Sequence, residues 1–390
     1  MKVVIVGCGQ RGFGYAKYLH RAQTRFRMLS AWNLAGVCDP VVENTQRVQA
    51  WWKEHTQQDL EAWRNPVDIA GVAAEPQALW LVCTPDETHF ELARLALKRR
   101  LRHVVLEKPV VTQPEQWAAL CRWNTRARPT VFHVPYVLRF VPVFQAARLR
   151  VGELGHLRTA ELELGLTPEH TASFLRRVWH EPLDCLTRFV STKLCHDLDL
   201  LMWVTGRSRV RVLGASYVPW AVRHLAPFER GCLLCPASRC AFRGSGRYFV
   251  KPRYECVLGQ DFFETVRVDL TLEGAENAPN TPPLRVTLRV QGHAARSNRE
   301  LVILGTRGRL RCVMDECLLE RQDEEGRMLD TSRHEPRDRT GHQFGDVMFL
   351  QAVTESVQGD RNQGIGLEHL SEQLRAARDI QRLLRRSQKE

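Results

Sequence analysis

The sequence predicts an α/β protein in two parts. A doubly wound parallel sheet comes first, and an α+β domain with a large, mainly antiparallel open sheet follows. Three observations predict this. Up to about residue 135, short unbroken apolar runs alternate with stretches of helical spacing, as strands covered on both faces require. Beyond that point the apolar runs lengthen and take polar residues at every second position, which suits a sheet with one covered face. Between the first apolar run and the first helical stretch stands a glycine-rich turn, Gly7-x-Gly9-x-x-Gly12.

Each element follows from its own pattern. Residues 2–7 are too rich in Val and Ile for a half-exposed strand, and Tyr15, Leu19, Ala22 and Phe26 then recur at helical spacing. "LAGVCDP" (34–40) is the next strand, with "RVQAWW" in the helix after it. "ALWLVCTP" (78–85), "HVVLEKP" (103–109) and "TVFHVPY" are further strands, separated by helices over "FELARLALKR" (90–99) and "PEQWAALCRWNTRA". In the second part "LRTAELELGL", "RVRVLGASYV", "FFETVRVDLTL", "PLRVTLRVQG" and "RELVILGTRGRLRCV" read as longer strands, several of them alternating. A helix over 194–206 interrupts them, a Pro-, Cys- and Arg-bearing loop spans 226–256, and helices around 345–357 and 367–386 close the chain.

A chain of 390 residues accommodates two domains, read as 1–135 and 136–390. The net charge of +12 comes from 48 arginines and only eight lysines, scattered through both halves as on solvated faces. No nucleic-acid-binding signature accompanies them, and no apolar run reaches membrane-spanning length, so neither nucleic acid nor membrane is an expected partner. The opening strand lacks the character of a secretory signal. The twelve cysteines are spread along a long chain, several inside apolar runs, so a reducing, cytoplasmic setting is expected.

The glycine turn follows a strand and opens a helix, the context a dinucleotide cradle requires. Gly7 permits the tight turn, Gly9 lets a pyrophosphate approach, and Gly12 allows helix and strand to pack closely. The helix N-terminus offers free N–H groups and a positive dipole end. Asp39, ending the second strand, is placed to accept from an adenosine ribose and to repel a 2′-phosphate, which favours NAD over NADP. The first part is therefore a Rossmann domain. Thr84-Pro85-Asp86…His89 and Glu107-Lys108-Pro109 end two further strands on the same edge, aiming Lys108 at the crevice. In "STKLCHDLDLLMWVTG" (191–206), Lys193, His196 and Asp197 share one side of a helix, and Leu194, Leu198, Leu201 and Met202 form an apolar track. An amine beside an imidazole suits acid–base work, though Asp199 at i+3 also suits a local partner for a structural histidine.

The glycine loop, "CDP", "CTPDETH", "EKPVV", "YVLRFVPVF", "GELGHL" and "CHDLDLLMWVTG", in this order, resemble the Gfo/Idh/MocA oxidoreductases. "ELVILGTRGRL" and "GHQFGDVMFLQAVTESVQG" extend the resemblance nearly end to end. "ASFLRRVW" (172–179) and the cysteine loop resemble a branch with a Cys-rich loop. The resemblance implies hydride transfer between a nicotinamide and a sugar, polyol or related secondary alcohol. It also implies an open sheet that makes oligomer contacts, hence a homodimer or homotetramer. Matching positions put the cofactor on Gly7, Gly9, Gln10, Arg11, Gly12, Asp39, Thr84, Pro85, His89, Glu107 and Lys108. They make Lys108 the contact to the reacting oxygen and nicotinamide ribose, and His196 the acid/base. Many members carry Asp four residues before this histidine, whereas this chain has Thr192. Lys193 is the nearest ionisable substitute and an alternative base. The same departure keeps open a different reading, a catalytically inactive dinucleotide-binding sensor or scaffold.

Cys232, Cys235 and Cys240, with Cys256 or His224 as a fourth ligand, make a candidate structural zinc site. Reduced thiols in a packed loop are the favoured alternative, and the chemistry itself calls for no metal. Arg176 and Arg177, near His170, suit either a clamp on an anionic substrate group or a solvated surface.

Overall fold

The computed structural model describes residues 1–125, 129–175, 189–219, 263–275, 281–359 and 364–387. Among these, the strands form one sheet of six and one of eight. The chain divides into two compact units, Met1–Phe140 with Asp338–Ser371, and Val141–Arg337 with Glu372–Glu390.

In the first unit, β1 (Lys2–Val6), α1 (Gln10–Phe26), β2 (Asn33–Cys38), α2 (Val42–Thr56), β3 (Glu61–Trp63), β4 (Leu79–Val82), α3 (His89–Lys98), β5 (His103–Leu106), α4 (Pro114–Trp123) and β6 (Val131–His133) alternate. The sheet order is β3-β2-β1-β4-β5-β6, with every pair parallel. Strand order reverses between β1 and β4, which opens a crevice beyond their carboxyl ends. Val3–Val6 and all of β4 and β5 are buried, as their unbroken apolar runs required. On α1 the buried face is Gly12, Tyr15, Ala16, Leu19 and Ala22, and the helix stops where Arg27 turns left-handed. At α4 the start is fixed by Pro114 and by Gln113 and Gln116, which cap each other's backbone amides. The three-residue β3 was too short for its pattern to show in the sequence.

The second unit holds α5 (Pro142–Arg150), β7 (Leu157–Gly165), α6 (Pro168–Leu175), a π-helical turn (Val190–Leu194), α7 (Cys195–Thr205), β8 (Arg207–Pro219), β9 (Phe263–Ala275), β10 (Leu284–Gln291), β11 (Asn298–Gly305), β12 (Gly308–Val313), β13 (Leu318–Gln322) and β14 (Met328–Arg333). Its order is β14-β13-β12-β11-β7-β10-β9-β8, antiparallel except for β7 against β10. Along β10, Leu284, Val286, Leu288 and Val290 are buried while Arg285 and Arg289 face solvent, so one side is covered and the other open. The run "RELVILGTRGRLRCV" resolves into β11 and β12 around a tight turn. Gly308 there has φ +135°, and a Cβ would overlap the Gln322 carbonyl.

The return segment corrects the sequence division at 135/136. Helix α8 (Gly345–Gln358) belongs with the first unit. Its Val347, Phe349, Leu350 and Val353 share a core with Val3, Ile5, Leu19 and Leu34. Periodicity shows that a helix has an apolar face, not which sheet that face covers. Entry to α8 is a left-handed turn: Gly341, His342, Gln343 and Phe344 have φ of 53°, 47°, 54° and 68°. For the three non-glycine residues this costs about 1–2 kcal/mol each. Buried Phe344, with its ring 4.7 Å from that of Phe26, helps to offset the cost. Asp338 anchors the segment, pairing with Arg21 and Arg25 and accepting from Thr340 N–H. Helix α9 (Leu370–Ser387) closes the chain. Among the described residues no helix is long and apolar enough to cross a membrane.

Candidate active site

The glycine loop occupies the crevice between β1 and β4. Gly7 has φ +92°, and a Cβ there would lie 2.7 Å from the backbone of Cys83 and Thr84, so only glycine fits. A Cβ at Gly12 would overlap the Gly7 carbonyl oxygen, which is the close helix–strand approach the sequence implied. Gly9 differs: nothing lies within 4 Å of where its Cβ would be. Gly9 is also the N-cap of α1, with no side-chain cap and no acidic residue in the first turn. The positive end of the helix thus lies beside an open edge. These features fit a dinucleotide pyrophosphate.

Asp39 is buried, and its carboxylate is already engaged. Oδ2 accepts from Cys8 N–H at 2.7 Å, and Oδ1 accepts from Val41 N–H at 2.9 Å and Asn44 Nδ2 at 3.2 Å. It therefore ties the glycine loop to the start of α2. Sequence reasoning missed the cations around that loop. Arg47 Nη2 donates to the Cys8 carbonyl at 2.8 Å, and its guanidinium lies 4.9 Å from the Phe13 ring centre. Lys17 Nζ lies 4.1 Å from the same ring. Burial, with Asp39 beside it, pushes the Cys38 thiol up to about 12, so Cys38 behaves as a small apolar side chain.

At the ends of β4 and β5, buried His89 links two loops. Nδ1 is 2.7 Å from the Pro109 carbonyl oxygen and Nε2 is 3.0 Å from that of Thr84. Thr84 Oγ1 also accepts from Thr88 Oγ1 at 2.7 Å. Glu107 and Arg11 meet directly, with Arg11 Nε 2.5 Å from Glu107 Oε1. Tyr15 donates its hydroxyl to the same oxygen at 2.9 Å and accepts from Arg11 Nη2. Arg11 Nη2 is also 2.6 Å from Asp346 Oδ1, and His342 Nδ1 is 2.8 Å from Asp346 Oδ2. Burial raises the Tyr15 pKa well above its ordinary value. Arg11 and His342 hold the Asp346 carboxyl well below the usual range, against the opposing effect of burial. Half-buried Lys108 follows, its N–H 3.3 Å from Glu107 Oε2 and its peptide bond to Pro109 cis. Asp346 and His342 were invisible to motif reading, because more than 230 residues separate them from Glu107.

In the second unit the helix expected around 191–206 begins as a π-helical turn, so Lys193 does not share regular α-helical spacing with His196. Such turns often occur at functional sites. Lys193 Nζ lies 3.0 Å from Nε2 of His170 on α6. Thr171 pins α6 to the sheet by donating to the Gly292 carbonyl at 2.6 Å. His196 is buried on α7. Thr192 is buried too, its hydroxyl 3.5 Å from the Phe189 carbonyl oxygen. Asp197 accepts from Arg299 Nε at 2.7 Å, and Asp199 accepts from Gln373 Nε2 at 3.0 Å. Both carboxylates thus have fold-building partners.

Cys232, Cys235, Cys240, Cys256, His224, Arg176 and Arg177 lie outside the described residues. Among the described residues, no group of three or more His, Cys, Asp or Glu side chains is arranged to hold a metal ion.

A glycine crevice on a doubly wound sheet is the arrangement that dinucleotide-binding domains use. Residues 1–134 match the family model GFO_IDH_MocA, described as an oxidoreductase family with an NAD-binding Rossmann fold. No curated protein matches the chain. Solved structures match over nearly its whole length. UDP-N-acetylglucosamine 3-dehydrogenase GnnA from Acidithiobacillus ferrooxidans is 17% identical, with 99% of this chain and 98% of that one covered and a TM-score of 0.66. Scyllo-inositol dehydrogenase from Lactobacillus casei, solved with NAD(H) and scyllo-inositol, is 19% identical over 99% and 97%, also at 0.66. An oxidoreductase domain protein from Kribbella flavida is 15% identical over 99% and 96%, at 0.71. At these identities the likeness establishes the fold of the whole chain.

Proposed function

We propose that this protein is an NAD-dependent oxidoreductase that moves a hydride between nicotinamide and the carbinol carbon of a sugar, polyol or related secondary alcohol. The observation that carries the proposal is the glycine loop of the family-matched domain, open at Gly9 and closed at Gly7 and Gly12. Asp39 supports NAD over NADP, since a fixed carboxylate at the end of β2 repels a 2′-phosphate. When bound, the nicotinamide supplies a two-electron acceptor for the hydride.

The remaining work falls to side chains. As the carbinol C–H bond breaks and the hydride departs, the hydroxyl must lose its proton and a carbonyl forms. The Lys108 ammonium stabilises negative charge developing on that oxygen. His196 or Lys193 takes the hydroxyl proton. At 3.0 Å from Lys193, His170 is within reach to receive that proton in turn, which supplies an acid–base partner where Thr192 cannot ionise.

The test is turnover of NAD across a panel of sugars and polyols, with Lys108→Ala and His196→Asn as controls. Turnover lost in both variants supports the assignment. Tight NADH binding with no turnover on any alcohol favours the alternative, a dinucleotide-binding sensor or scaffold, to which buried Thr192 lends its weight.

A further inference from the structure

Asp346 is fully buried in the first turn of α8, where a helix N-terminus favours a carboxylate. It comes from the far end of the chain, yet its two oxygens contact Arg11 and His342. Arg11 in turn holds Glu107 Oε1, reinforced by the Tyr15 hydroxyl, and Glu107 Oε2 faces the Lys108 N–H. One guanidinium thus bridges two buried carboxylates, and no link in the series exceeds 3.3 Å. Arg11 stands in the glycine loop's helix, so the same contacts fix the first turn of α1.

The left-handed turn completes the arrangement. A Cβ at Gly341 would lie 2.9 Å from Asp346 Oδ2 and 3.0 Å from the Tyr18 ring, so only glycine lets the chain pass there. His342, Gln343 and Phe344 then hold positive φ, and His342 folds back onto Asp346. A backbone kept in so sparsely populated a region over consecutive residues points to a constrained local purpose.

We infer that Asp346 is a positioning residue for Lys108 and for the glycine loop, acting through Arg11 and Glu107, with His342 orienting its carboxylate. The inference rests on reading Lys108 as the group at the reacting oxygen. Removing the Asp346 charge frees Arg11 to swing and loosens Glu107. Lys108 and the first turn of α1 then lose their fixed geometry together.

Two measurements on the full-length protein test this. The first is the rate at which Lys108 is acetylated by acetic anhydride, mapped by peptide mass and referred to exposed Lys53. The second is NADH affinity by fluorescence titration. In Asp346→Asn that retains a cooperative thermal transition, Lys108 acetylation relative to Lys53 shifts by threefold or more and the NADH Kd rises five- to tenfold. His342→Gln, at an exposed position, moves both the same way by about twofold. A folded Asp346→Asn protein with both quantities unchanged overturns the inference. If Asp346→Asn does not fold, an unchanged His342→Gln protein overturns it equally. A wild-type protein that binds no NADH sinks the cofactor reading instead, and the acetylation ratio then decides this inference alone.

Discussion

Lys193 Nζ sits 3.0 Å from His170 Nε2, an amine against an imidazole, in the π-helical turn that precedes α7. In this chain the position four residues before His196 holds a threonine, so no carboxylate is available there. Under the proposed function the Lys193–His170 pair takes its place. Lys193→Ala should reduce kcat about a hundredfold or more, the usual size of a lost acid–base group. His170→Ala should reduce it less, about tenfold, with an unchanged NADH Kd. Steady-state rates beside a binding titration check this, and an unaltered kcat in both variants would contradict it.

Gly9 and Gly12 separate binding from folding. Gly9 has φ −61°, and its Cβ would meet nothing, so Gly9→Val should leave the melting temperature within a degree or two. The added side chain fills the edge proposed for the pyrophosphate, and the NADH Kd should rise at least tenfold. Gly12→Ala places a methyl group on the Gly7 carbonyl oxygen. It should destabilise the protein by about 1–3 kcal/mol, as overpacking does. Melting curves and titrations of the two variants, side by side, are sufficient.

Asp39 has a structural role, and the proposed function gives it a selective one as well. Asp39→Asn removes the charge and leaves one carboxamide oxygen, which can accept from Cys8 N–H or from Val41 N–H but not from both. With Arg47 and Lys17 already near the loop, the ratio of NADPH to NADH affinity should rise about tenfold. A variant that still rejects NADPH as strongly as the wild type would place the discrimination elsewhere.

Acid stability should report on His133. This ring is buried in β6, stacked on His103 at 5.4 Å, and burial with His103 lowers its pKa from 6.5 to about 3. Unfolded, the histidine binds a proton below about pH 6.5, whereas folded it stays neutral down to about pH 3. Stability is therefore lost as pH falls between those values, by about 1.4 kcal/mol per pH unit for one proton. Urea unfolding at pH 7 and pH 5 should show a loss of about 2 kcal/mol from this group. His133→Phe should flatten the dependence, and an equal slope in the variant would show that other groups set it.

What the sequence disclosed follows a physical divide. Local patterns survive in one dimension: the runs of β1, β4 and β5, the glycine turn and the alternation of β10 each name their own environment. The places of Asp39 and Lys108 just beyond β2 and β5 were legible because the apolar runs stop there. Contacts between distant segments leave no such mark. Nothing in the spacing brings Asp346 to Arg11 or His170 to Lys193, since neither pair shares a strand or a helix turn. The π-helical turn was hidden for a different reason, because one extra residue per turn hardly alters an apolar pattern. The fold division failed at α8 because an amphipathic helix does not say which sheet it covers.

The most direct measurement is a calorimetric titration of the purified protein with NADH and with NADPH at one fixed salt concentration, repeated on Gly9→Val. The account predicts saturable NADH binding, weaker NADPH binding, and loss of both in the variant with its melting temperature intact. Wild-type protein that binds neither nucleotide would contradict it, leaving the glycine loop a turn and removing the basis for hydride transfer.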